Sequence, residues 1–278
     1  MNEGGRYEMN KKKLRLALLG KDVSKSRSEE IHSFILGSFG VDVTYERISV
    51  SPLEFDNAMR YLLGDFDGFN VTIPYKREVM GYLNAVVGDA HEFGSVNTVV
   101  TENLTGYNTD GVGFLMMLRL AGINVRNKKI LVLGAGGAGR STAVVLKREG
   151  AFVSLYQRRK EKLAETCKEL GVQPCEDPER GGYDLLVNCT GVGMHETEGE
   201  SPVTAKAFRG ASEAIDLIYV PTQSEFLRFA KEQGVRTLNG AGMLFYQAYY
   251  ADCLFLHREP DDSEAQKLYA LYKQENNK

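Results

Sequence analysis

The sequence predicts an α/β protein of two domains, the second a doubly wound dinucleotide-binding sheet. Three observations carry this. At 278 residues the chain is long for a single hydrophobic core. Its front half reads strand, loop, helix, strand, helix, the alternation that covers a sheet with helices. In the middle, Ile130-Leu-Val-Leu-Gly134-Ala135-Gly136-Gly137-Ala138-Gly139-Arg140 runs from a buried strand through a glycine turn into a helix. That order opens a phosphate-binding βαβ unit.

Composition narrows the class. Hydrophobic residues at 43% and charged residues at 26% are ordinary for a globular protein. A net charge of -3 gives no electrostatic reason to expect nucleic acid or an anionic membrane as partner. Lys11-Lys12-Lys13 before Leu14–Leu19 superficially resembles a signal peptide, but Arg15 interrupts the apolar run and no small-residue cleavage site follows. No stretch approaches the roughly 20 apolar residues of a membrane span. Cys167, Cys175, Cys189 and Cys253 show no C-x-x-C spacing, and His32, His91, His195 and His257 form no ligand pair. A cytoplasmic, reduced protein without a metal is expected.

In chain order, residues 1–13 are polar and expected to be disordered. Leu14–Leu19 reads as a strand, Gly20–Ser28 as a polar loop, and a helix from about Glu29 places Ile31, Phe34 and Ile35 on one face. Val43–Val50 alternates as a second strand. Ser51-Pro52-Leu53-Glu54 reads as a capping box with proline at the first helical position, and Gly64 as the end of that helix.

Gly68-Phe-Asn70-Val-Thr72-Ile-Pro74-Tyr75-Lys76 is an apolar strand broken by polar side chains. It delivers a lysine from a point fixed by proline, which makes it a candidate site. An exposed strand-end lysine would fit the residue type as well. Ser95–Val100 alternates as a strand, with a turn at Glu102-Asn103. Asp110 then precedes a helix over Val112–Leu120. There it either caps the helix, worth about 1 kcal/mol, or serves a site.

In the glycine motif, Gly134 permits the tight turn, Gly136 lets the backbone approach a pyrophosphate, and Gly139 allows close helix–strand packing. Ser141–Arg148 reads as the helix, whose free N–H groups face the anion. The following strand, Phe152–Tyr156, ends in Gln157-Arg158-Arg159-Lys160. An NAD site wants an acid here for the ribose 2′-hydroxyl, yet the first acid is Glu161, in the next helix. Two guanidinium groups suit a 2′-phosphate instead. A solvated basic turn is the plain alternative. The reading is NADP.

Ser24-x-Ser26, Gly68-x-Asn70-Val-Thr72-x-Pro74-x-Lys76, Val96-Asn97-Thr98 and Gly106-x-Asn108-Thr109-Asp110-Gly111 together resemble the shikimate dehydrogenase family. Asn188-Cys189-Thr190-Gly191-Val-Gly193-Met194, Asp216-Leu-Ile-Tyr219-Val-Pro221 and Gly240-Ala-Gly242-Met243-Leu-x-x-Gln247-Ala248 continue the resemblance in the family's order. It implies an N-terminal α/β substrate domain over residues 10–110 and a doubly wound Rossmann NADP domain over 111–245. Helices over 246–278 would return to the first domain.

The implied reaction is reversible reduction of 3-dehydroshikimate to shikimate by NADPH, in aromatic amino acid biosynthesis, by a monomer or homodimer. Lys76 and Asp110 would be the catalytic pair. Ser24 and Ser26 would take the substrate carboxylate, and Asn70, Thr72, Asn97, Tyr219 and Gln247 the rest of the ring. Gly134, Ala135, Gly136, Gly137, Ala138, Gly139, Gln157, Arg158, Arg159, Thr190 and Gly240 would hold the cofactor.

Two departures stand out. The family's His-Ser-Lys-Ser-Pro loop is Val23-Ser-Lys-Ser-Arg27 here, which frees the loop backbone and leaves Arg27 expected in solvent. The basic turn begins with Gln157 rather than the family's Asn-Arg-Thr. Of the rival functions, an NAD-preferring quinate/shikimate dehydrogenase would be signalled by an acid where Lys160 stands. A non-catalytic relative should have lost Lys76 or Asp110. A folate enzyme of related plan would lack the Ser24/Ser26 loop.

Overall fold

A computed structural model describes residues 13–276, so the segment over 1–12 lies outside the described residues. The first sheet has six strands: β1 (Lys13–Gly20), β2 (Asp42–Ser49), β3 (Gly68–Val71), β4 (Ala85–Val86), β5 (Thr98–Val100) and β6 (Thr105–Tyr107). Their order is β2-β1-β3-β5-β6-β4. The first three are parallel, β5 runs antiparallel to both β3 and β6, and β4 pairs parallel to β6. Central β1 is buried along nearly its whole length, as its run of leucines requires, whereas edge strand β2 alternates. Helices α1 (Ser28–Ser38), α2 (Phe55–Asp65) and the short α3 (Asp89–Phe93) accompany this sheet.

The capping box departs from expectation. Ser51 donates through both its N–H and hydroxyl to the Glu54 carboxylate, at 3.0 and 2.6 Å. Residues 52–54 form a turn rather than the first helical turn, and α2 begins only at Phe55 and runs one residue beyond Gly64.

Helix α4 (Asp110–Leu120) leads to the second sheet, which is entirely parallel. Its strands are β7 (Lys129–Leu133), β8 (Phe152–Tyr156), β9 (Gln173–Pro174), β10 (Leu185–Asn188), β11 (Glu213–Asp216) and β12 (Arg236–Asn239), in the order β12-β11-β10-β7-β8-β9. The chain winds outward from β7 in one direction, then restarts at β10 in the other. A crevice therefore opens between the carboxyl ends of β7 and β10, where doubly wound sheets take their ligands. Helices α5 (Gly137–Arg148), α6 (Leu163–Leu170) and α7 (Glu225–Glu232) complete the unit.

The last two helices, α8 (Ala241–Phe255) and α9 (Asp262–Asn276), tie the sheets together. One apolar core contains Phe245 and Tyr249 of α8, Ile31 and Ile35 of α1, Phe114 and Met117 of α4, and Val144 and Val145 of α5. Further along α8, Ala251 and Phe255 cover Leu14, Leu16 and Leu18 of β1. Gly68 is glycine for this reason: a Cβ there would meet the Phe255 ring at 2.5 Å. Among the described residues, no helix is long and apolar enough to cross a membrane, and no cluster of three or more His, Cys, Asp or Glu could hold a metal ion.

Candidate active site

The segment after β3 carries Lys76, and α4 opens on Asp110. Lys76 Nζ lies 2.5 Å from Asp110 Oδ2, with both side chains largely buried. Asp110 is no cap: it is the first residue of α4, and its own N–H is taken by Asn108 Oδ1 at 3.0 Å. Its Oδ1 instead accepts from Asn97 Nδ2 at 2.9 Å. An ammonium and a carboxylate buried together offset each other's desolvation, and removing either would strand the other charge.

Asn97 organises the surroundings. Its Oδ1 accepts from the Thr109 N–H and the Thr98 hydroxyl, each at 2.9 Å. Asn70 Nδ2 donates to Thr98 Oγ1 at 3.1 Å and to the Asn97 carbonyl at 3.3 Å. Gln247, reaching in from α8, accepts from Asn97 Nδ2 at 3.4 Å and stays half-buried. Thr72 stands nearby, its N–H donated to the Leu19 carbonyl at 2.9 Å. Lys76, Asn97, Asp110 and Gln247 thus form one cluster, with Asn70 directly behind it.

The two serines of the loop have different partners. Ser24 is exposed and donates its hydroxyl to Asp22 at 2.7 Å. Its two hydrogen bonds hold the Asp22 carboxyl below the usual range, so a carboxylate accompanies this serine. Ser26 instead donates its hydroxyl to Ser28 at 3.0 Å, and the Ser28 N–H donates back at 3.2 Å. Ser28, buried at the first position of α1, was missed in the sequence. The only signal was serine at every second position over 24–28.

Arg27 faces solvent only in part. It is half-buried, pairs with Glu30 at 2.8 Å and donates to the Tyr272 hydroxyl of α9 at 2.9 Å. Its charge also reaches Tyr219, in the loop after β11, opposing the upward push that burial exerts on that phenol.

Beside Lys76 lies the glycine turn. Gly134 has φ +98°, which only glycine adopts without strain. A Cβ on Gly139 would stand 2.0 Å from the Gly134 carbonyl, whereas one on Gly136 would meet nothing within 4 Å. Helix α5 starts at Gly137, four residues earlier than expected, with no side-chain cap. Ala135 and Ala138 therefore flank free N–H donors at a helix start, beside an open approach.

Thr190 sits against Gly134, its hydroxyl donated to Asn188 Oδ1 at 2.7 Å. Asn188 in turn donates to Asp216 at 3.0 Å. Gly240 must be glycine because a Cβ would lie 2.1 Å from the Leu217 carbonyl. At the end of β8, Arg158 and Arg159 are exposed, and Gln157 Nε2 is buried with no partner among the described residues. Glu161 lies in a single 3-10 turn, Lys160–Lys162, ahead of α6. An open glycine approach, an unpaired buried amide donor and two adjacent guanidinium groups fit a phosphorylated dinucleotide.

A doubly wound sheet with such a cradle, facing a buried lysine–aspartate pair across a cleft, defines a dinucleotide-dependent oxidoreductase with a separate substrate-holding sheet. Comparison with known proteins narrows this. Residues 18–99 match the family model described as the shikimate dehydrogenase substrate binding domain. A shikimate dehydrogenase (NADP(+)) of Caldanaerobacter subterraneus is 40% identical over 248 residues, 84% of this chain and 88% of that one. The shikimate 5-dehydrogenase of Thermus thermophilus, solved in complex with NADP(H) and shikimate, superposes with a TM-score of 0.84 at 35% identity, covering 92% of this chain and 98% of that one. A shikimate dehydrogenase of Peptoclostridium difficile superposes at 0.86, with 30% identity and coverage of 94% and 98%. The chain belongs to the shikimate dehydrogenase family.

Proposed function

We infer that this protein catalyses the reversible, NADP-dependent reduction of 3-dehydroshikimate to shikimate. The observation that carries the reading is the buried Lys76–Asp110 pair set directly beside the glycine turn. Bound NADPH supplies the hydride. The protein then has one proton to move and two partners to orient. Lys76 Nζ donates to the carbonyl oxygen as negative charge develops there, and transfers the proton that makes the product hydroxyl. Asp110 holds the ammonium at that oxygen, and Asn97 fixes Asp110. In the oxidation direction a neutral Lys76 takes the proton back.

Asn97, Thr72, Gln247 and Tyr219 offer the mixed donors and acceptors that ring hydroxyls need. Ser24 and Ser26 supply hydroxyls for the substrate carboxylate, with Ser28 bonded behind Ser26. Gln157, Arg158 and Arg159 hold the 2′-phosphate, and the turn over 134–139 holds the pyrophosphate, with Thr190 and Gly240 at its sides. The substrate domain spans about residues 10–110 with 246–278 returning to it, and the cofactor domain spans 111–245. A cytoplasmic monomer or homodimer, with small molecules rather than nucleic acid or membrane as partners, completes the proposal. Absorbance of the reduced nicotinamide with shikimate or quinate, against NADP or NAD, tests it. Turnover of shikimate with NADP is expected; turnover of quinate with NAD alone would reverse the assignment.

A further inference from the structure

We propose that Tyr45 is a positioning residue for this reaction, orienting Asn70 and through it the Asn97–Asp110–Lys76 cluster; the inference rests on the reading above. Tyr45 is the one fully buried residue of β2. Its hydroxyl donates to Asn70 Oδ1 at 2.9 Å. The phenol therefore meets the asparagine directly behind the catalytic pair.

The direction of each bond matters. Asn70 Nδ2 donates to Thr98 Oγ1 and to the Asn97 carbonyl. Thr98 donates to Asn97 Oδ1, so Asn97 presents Nδ2 to Asp110 Oδ1. Donors thus run one way, Tyr45 to Asn70 to Thr98 to Asn97 to Asp110, and end on the carboxylate that holds Lys76. The Asn97 carbonyl can only accept and so sets which way the Asn70 amide faces, and the Tyr45 O–H donates to the amide oxygen so presented and holds the side chain in place. Burial raises the phenol well above its usual pKa, so it remains a donor.

The ring is itself held. His32 stacks on Tyr45 with centroids 4.7 Å apart and planes 15° apart. His32 Nδ1 lies 2.6 Å from Asp252 Oδ1 of α8, and both side chains are wholly buried. His32 Nε2 and Asp252 Oδ2 have no other partner. A buried imidazole–carboxylate pair is costly, and here it fixes the plane in which Tyr45 must lie.

Tyr45→Phe keeps the ring and the stack and deletes only the donor. We expect KM for shikimate to rise about tenfold and kcat to fall several-fold, with Kd for NADP within twofold. In an Asn70→Ala background the same change should cost less than twofold more, because its effect passes through Asn70. Asp252→Asn, which loosens the stack without touching the phenol, should move KM in the same direction by less, and decides the matter if Tyr45→Phe does not fold. Unchanged constants in both variants, or equal losses with and without Asn70, would overturn the inference while leaving the reaction standing. An unmutated protein inert to shikimate and NADP would overturn the reaction and the inference with it.

Discussion

The aliphatic stem of Lys76 rests on Gly137: a Cβ placed on that glycine would stand 3.1 Å from Lys76 Cδ and at least 3.9 Å from every other atom outside its own chain neighbours and helix backbone. The glycine turn therefore seats the lysine as well as opening toward a ligand. Gly137→Ala should lower kcat about tenfold, the scale of a displacement of a few tenths of an ångström in a reacting group. The fold should not suffer, since alanine is favoured over glycine in a helix by about 1 kcal/mol. Steady-state kinetics beside a melting curve checks both halves: kcat down, Tm unchanged or raised.

Lys76→Ala should lower kcat by about 10² to 10⁴, the usual loss for a general acid–base group. Asp110→Asn should lose activity too, and the double mutant should be little worse than the poorer single one. NADP titrated by fluorescence should bind all variants nearly alike. Full activity in Lys76→Ala would move the proton donor elsewhere.

Ser24→Ala and Ser26→Ala should each raise KM for shikimate more than they lower kcat, because they remove hydrogen bonds made equally in ground and transition states. Ser28→Ala should raise KM less, since its hydroxyl acts through Ser26. Substrate titration of the three variants checks that order.

NADP should be preferred over NAD by at least about tenfold, some 1.4 kcal/mol. Arg158→Glu should collapse most of that preference, read as the ratio of kcat/KM for the two cofactors. Equal use of both by the unmutated protein would dismiss the basic turn.

Burial pushes the Asp216 carboxyl up to about 6 from an ordinary 3.8. Between about pH 4 and 6 the folded chain holds a proton there that the unfolded chain has lost. This contribution to stability is therefore complete below about pH 4, falls as pH rises to 6, and is constant above. Asp252 is raised likewise, to about 6. Asp216→Asn should remove part of the slope, on the order of 1 to 3 kcal/mol across that window. Urea unfolding at pH 4, 5, 6 and 7 measures it; identical slopes with and without the substitution would assign the titration elsewhere.

The glycine turn could be read from the chain because each of its glycines answers a local steric demand, visible without knowing the rest of the fold. Asp110 could not be settled that way. Aspartate before a helix is an ordinary cap, and only Asn97 and Lys76, 13 and 34 residues earlier, show that its side chain points elsewhere. Ser28 escaped because the pairing of serines is set by the turn into α1, not by spacing. The two-residue strand Ala85–Val86 and the five-residue helix Asp89–Phe93 are too short to carry a hydrophobic period.

The packing of α8 against β1 has a consequence for synthesis. Leu14, Leu16 and Leu18 leave the ribosome among the first parts of the described chain, yet Ala251 and Phe255 cover them among the last. At about 5 to 20 residues per second, the oldest strand waits roughly 10 to 50 s for its cover. The nascent protein thus carries a leucine face only partly covered by Val23, Leu36 and Tyr45 through most of translation, and completes the cover of its first sheet only after its second is made.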